Sequence, residues 1–116
     1  MLPDQSTLKP LWPPYDLLEL REGQRASFTP LRHELGLMSI RTADTPAGKT
    51  ITALRVWVSQ GDKATVPSYW DITSQLLIAD LWGQLTASGA GRRRFTLTKQ
   101  GFGRASRFMV ESSPAP

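Results

Sequence analysis

Between Asp80 and Glu111 the chain carries six cations and no acid: Arg92, Arg93, Arg94, Lys99, Arg104 and Arg107. Guanidinium and ammonium groups at such density suit phosphate oxygens. Thr96, Thr98 and Ser106 lie among them as further hydrogen-bond donors. Phe102 stands between Gly101 and Gly103, where an aromatic ring on a flexible basic tip is placed to stack on a nucleobase. The plainer reading is that Arg92 to Arg94 solubilise the edge of a sheet and that Phe102 folds back onto it. The positive charge is local in either case. Residues 1–24 hold two cations against four acids, and residues 25–88 six against five, so the net +4 comes from the last third of the chain. A concentrated patch makes a field that a scattered excess does not.

Other constellations that carry chemistry are missing their partners. Ala47-Gly48-Lys49-Thr50 resembles the end of a phosphate-binding loop. That motif needs glycine where Ala43 stands and must open a helix, whereas the residues that follow read as a strand. His33 is the only histidine and there is no cysteine, so no histidine cluster, thiolate metal site or thiol nucleophile can be built. The G-x-S-x-G turn of serine hydrolases does not occur. A non-catalytic protein is expected, with no catalytic residue, no metal and no cofactor.

A second candidate surface lies near the start. Leu11-Trp12-Pro13-Pro14-Tyr15 reads as an extended arm, because four prolines within residues 3–14 each lack a donor and restrict the residue before them. Trp12 and Tyr15 are candidate anchors for a protein partner or a second copy of the chain. The competing reading is that they cover the protein's own core.

These segments need elements to hold them. Asp16 is expected to cap a short helical turn through Leu17, Leu18 and Leu20, ending at Gly23. Arg25 to Thr29 reads as a short strand with Phe28 inward. Residues 29–36 are ambiguous between a short helix opened by Pro30 and an irregular strand. Leu37 to Thr42 and Thr50 to Ser59 read as strands joined by a long loop, the second rich in β-branched residues. Gln60 to Tyr69 reads as loop. Residues 72–87 predict the main helix, since Leu77, Ile78, Leu81, Trp82 and Leu85 form one apolar stripe. Asp71 or Thr73 is expected to cap it, with Thr73 favoured. Phe95 and Leu97 alternate with Arg94, Thr96 and Thr98, and Phe108 and Val110 with Arg107 and Met109, which predicts a C-terminal basic β-hairpin.

The fold expected is therefore α+β, with a small antiparallel sheet, one main amphipathic helix over 72–87 and the basic hairpin. Its organisation is an arm over 1–15, a single domain over 16–111 and a frayed tail over 112–116. At 116 residues, 40% of them hydrophobic, one core without staples is sustainable. No apolar run is long enough for a membrane span, the opening residues do not read as a secretory leader, and a cytoplasmic location is expected.

The order of helix and basic hairpin over residues 71–110 resembles in outline the helix and wing of winged-helix DNA-binding domains. The helix-turn-helix that should precede them is missing, and the polar face of the helix offers no Arg or Lys. Nucleic acid, DNA or RNA and preferably single-stranded, is thus expected on the sheet and hairpin. The alternative is a protein-interaction or assembly subunit, a homo-oligomer included, that uses the aromatic arm and a sheet edge.

Overall fold

A computed structural model of the chain describes residues 2–41, 43–87, 89–101 and 107–115. Phe102, Arg104 and the rest of the turn between the last two strands lie outside the described residues. Six strands run β1 Arg25–Phe28, β2 Arg32–Ile40, β3 Lys49–Trp57, β4 Tyr69–Ile72, β5 Arg93–Gln100 and β6 Arg107–Pro114. Helix α1 spans Gln75–Thr86, and two short 3-10 turns occupy Gln5–Thr7 and Ala90–Arg92.

The expected antiparallel strands, main helix and C-terminal hairpin are all present, and the strands divide into two three-stranded sheets, β2-β3-β4 and β1-β5-β6. Alternation along each strand sends opposite faces in opposite directions. Leu35, Leu54, Val56 and Ile72 of the first sheet face Phe28, Phe95 and Leu97 of the second, and Leu77, Ile78, Leu81 and Leu85 of α1 complete the core. Each such side chain, fully buried, contributes roughly 1.5–3 kcal/mol of hydrophobic free energy.

Helix α1 is shorter than expected. Ile72 belongs to β4, paired with Leu54, and the cap is Ser74, whose Oγ accepts the Leu77 N–H at 3.4 Å. The apolar stripe is as read, except that Trp82 is only half-buried, edge-on to His33 at 5.7 Å. The ambiguous residues 32–36 are strand. Nine register pairs with β3, from Arg32 opposite Trp57 to Ile40 opposite Lys49, outweigh any local helical preference. Residues 69–72, placed at the end of a loop and the start of the helix by sequence, form β4 against the C-terminal end of β3.

The other face of the first sheet is covered by the N-terminal segment, which runs extended where a helical turn was expected at 16–20. Its backbone bridges the β2 edge at Leu37 through Lys9 and Leu11, crosses β3, and bridges the β4 edge at Asp71 through Asp16 and Leu18. Leu11 is buried with Met38 and Ala53, making a small second core. Gly36 lets it in: a Cβ there would meet the Leu11 side chain at 2.7 Å and the Lys9 carbonyl oxygen at 2.8 Å. Two X–Pro peptides are cis, Pro13–Pro14 in this segment and Val66–Pro67 in the loop before β4. At the other terminus, residues 112–114, read as part of a frayed tail, pair with β5, and Ala115 donates its N–H to the Arg92 carbonyl at 2.8 Å.

Candidate nucleic-acid interface

The hairpin cations do not form one continuous patch. Along β5, Arg94, Thr96, Thr98 and Gln100 point to the outer face of the second sheet, while Arg93, Phe95, Leu97 and Lys99 take the inner direction. Arg92 precedes the strand in its 3-10 turn. Arg93 and Lys99, at opposite ends of β5, are separated by roughly 20 Å at the rise of an antiparallel strand.

Arg93 reaches across to the Ser112 hydroxyl at 3.2 Å. Lys99 turns toward the Phe108 ring, its Nζ 6.0 Å from the centroid. Both line or border solvent rather than core. Arg107 is exposed on the outer face opposite Gln100. Arg94 is differently placed: its guanidinium donates to Asp62 Oδ1 at 2.9 Å and to the Ser27 carbonyl at 3.4 Å, so it is half-buried and its charge is neutralised. Burial opposes ionisation of Asp62, but the Thr29 N–H and Arg94 outweigh it and hold the carboxyl below its ordinary pKa.

Arg25 was not singled out from sequence. Strand β1 lies beside β5 with Arg25 opposite Thr98 and Ser27 opposite Thr96, so Arg25 stands on the same outer face as Arg107. No local signal marks it, because the pairing joins strands about 70 residues apart. The outer face thus presents Arg25 and Arg107 around Thr96, Thr98, Gln100 and Met109, with Glu111 the only acid among the described residues of its three strands and Asp62 brought to it from the loop by Arg94. The Ser27 and Thr96 hydroxyls share a hydrogen bond of 2.9 Å.

The arm's candidates separate from each other. Trp12 is 80% exposed and Tyr15 40%, so the core-covering reading fails for Trp12, and Leu11 fills that role. The backbone around Trp12 is nevertheless fixed. Arg55, buried near the C-terminal end of β3, donates from Nη1 to the Trp12 carbonyl at 2.8 Å and from Nη2 to the Pro14 carbonyl at 3.3 Å. The Tyr69 hydroxyl also donates to the Pro14 carbonyl, and its ring lies 4.0 Å from the Arg55 guanidinium carbon. Nearby, buried Lys63 pairs with Asp16 at 2.7 Å and caps the Thr65 and Pro67 carbonyls, joining the loop before β4 to the arm.

A groove of about 790 Å³ opens between the first half of α1, Leu18 to Leu20 and the turn end of the hairpin at Lys99, Arg107 and Phe108. Among the described residues no group of three or more His, Asp or Glu side chains is arranged to hold a metal, and no helix is long and apolar enough to cross a membrane. No protein-family model, curated protein sequence or solved structure matches this chain.

Proposed function

We propose that this protein binds flexible polyanions, above all single-stranded nucleic acid, without catalysis. The observation that carries the proposal is the outer face of the β1-β5-β6 sheet. It is open to solvent and carries Arg25 and Arg107 with hydroxyl and amide donors between them; among the described residues of its strands Glu111 is the one acid, and Asp62 is already held by Arg94. Arg92, Arg93 and Lys99 extend the positive field around both ends of the hairpin. Such a surface contacts phosphates along a strand and reads little sequence. Arg94 contributes structure more than charge, since Asp62 already holds it.

Fluorescence anisotropy with labelled single- and double-stranded DNA and RNA at two salt concentrations tests this. Binding should favour single strands and weaken steeply with salt, and each phosphate-contacting cation replaced by Ala should flatten the log–log slope by about 0.7–0.9. The slope should change at Arg25, Arg92 and Arg93 and stay almost unchanged at Arg94. Absence of any salt-sensitive binding rejects the proposal.

The second reading, a protein-interaction module, is favoured by one observation. Trp12 projects into solvent from backbone that Arg55 holds in place. A large ring on a fixed support is the usual anchor of a protein interface. Under that reading Trp12→Ala abolishes partner capture and leaves nucleic-acid affinity untouched.

A further inference from the structure

Each edge of the first sheet is bridged once by the N-terminal segment. The β2 edge is bridged by Pro10 and the β4 edge by Leu17. The second sheet is different. Strand β6 pairs with β5 on one side only, and along Arg107–Pro114 no other described element takes or gives a backbone hydrogen bond on its outer side. Eight residues of unpaired edge are a template for a further strand.

Edges of this kind are commonly protected by charges, and β6 carries two, Arg107 and Glu111. Their spacing changes what they do. Both lie on the outer face, with Met109 midway between them and 41% exposed. An antiparallel copy of β6 centred on Met109 sets Arg107 opposite Glu111 twice and Met109 opposite itself. On the inner face it sets the half-buried Phe108 opposite Val110. Moving the centre one residue, to Val110, puts Met109 against Glu111 and leaves Arg107 facing Ser113. Opposite charges and apolar pairs directly across strands stabilise a register, and mismatched ones do not.

We propose that two copies of this chain join through β6, antiparallel about a two-fold axis at Met109, to make one six-stranded sheet. The axis stands perpendicular to the sheet, so both outer faces point the same way and both cores lie on the other side. Glu111, the one acid among the described residues of the outer strand face, and Arg107 of the second copy then neutralise each other, which leaves Arg25 as that face's cation for phosphate. The dimer stands on the edge geometry and charge order alone, and its test reads mass rather than nucleic-acid binding.

Sedimentation velocity on the full chain should give twice the 12.9 kDa of a single chain. Glu111→Lys and Arg107→Glu should each drive the protein to monomer while retaining the wild-type circular dichroism spectrum. The double variant Arg107→Glu/Glu111→Lys should restore the dimer, because the pairing is reversed but kept. A second measurement uses the natural absence of cysteine. Directly opposed residues in an antiparallel pair have Cα atoms about 4.5–5.5 Å apart, within disulfide reach. Met109→Cys should therefore cross-link into a covalent dimer under mild oxidation, and Ser113→Cys should not. A monomeric wild-type protein overturns the proposal. So does a dimer that survives the single charge reversals, or one in which Met109→Cys and Ser113→Cys cross-link equally.

Discussion

Arg55 and Asp71 stand opposite each other on β3 and β4, joined through Nε–Oδ1 at 2.7 Å and Nη2–Oδ2 at 3.1 Å. The fork is doubly charged, bidentate and closed off by the N-terminal arm. Burial disfavours the guanidinium's charge, yet the Asp71 contact outweighs it and raises the Arg55 pKa above its usual value. Asp71 also accepts the Asp16 N–H at 3.0 Å, so one carboxylate ties sheet and arm together.

Removing one partner leaves a buried charge without compensation. Asp71→Ala should cost about 3–5 kcal/mol in urea denaturation. The double variant Arg55→Met/Asp71→Leu should cost much less than the sum of the single changes. Additive losses would mean that the two side chains are not coupled.

The arm separates packing from exposure within two adjacent residues. Leu11→Ala should destabilise by about 2–5 kcal/mol through the cavity it leaves over Met38 and Ala53. Trp12→Ala should change stability by less than about 0.5 kcal/mol. Gly36→Ala should cost about 1–3 kcal/mol, since the added methyl drives into Leu11 and the Lys9 carbonyl. Thermal melts of the three variants decide, and equal losses at Leu11 and Trp12 would contradict the docked arm.

Helix phase is tested by Leu81 and Gln84. Leu81 is fully buried and Gln84 exposed. Leu81→Ala should cost about 2–5 kcal/mol, while Gln84→Ala should stay within about 0.5 kcal/mol. Ser74→Ala removes the cap and should cost about 1 kcal/mol.

Asp62 sets an acid limb. Its folded-state pKa lies below the ordinary carboxylate value, so the folded state binds its proton less readily than the unfolded chain. The stability it supplies is full above that ordinary value, about 3.9, and is lost as pH falls through the lowered folded value. Asp62→Asn should therefore weaken the protein at neutral pH and converge on wild type in strong acid. Denaturation midpoints measured across that range give the comparison; a constant gap at all pH would remove Asp62 from the account.

The readable parts of this fold were those whose pattern is local. The stripe from Leu77 to Leu85 gave α1, and the alternation around Phe95, Leu97, Phe108 and Val110 gave β5 and β6. Strand β4 was hidden because Tyr69–Ile72 is four residues long and follows a proline-containing loop, so nothing in its own period distinguishes it. Asp71 was one of two candidate helix caps, behind Thr73, since aspartate before an apolar run is a common cap. Its true partner, Arg55, is sixteen residues away and marked by no local spacing. The basic hairpin was legible as a run of charge, but charge alone did not show that Asp62 neutralises Arg94 or that Arg25 joins the same face. Both follow from β1 lying beside β5.

That same pairing constrains the order in which the protein can be made. Ser27 and Thr96 are 69 residues apart in sequence yet share a hydrogen bond. During synthesis at about 5–20 residues per second, β1 waits for several seconds before its partner strand exists. The arm, β2, β3 and β4 are complete well before then and can assemble by short closures. Helix α1 can cover part of the first sheet's core face as it emerges, but the part that Phe95 and Leu97 cover stays open until β5 emerges and the long loop closes. The nascent chain is most prone to aggregation in that interval.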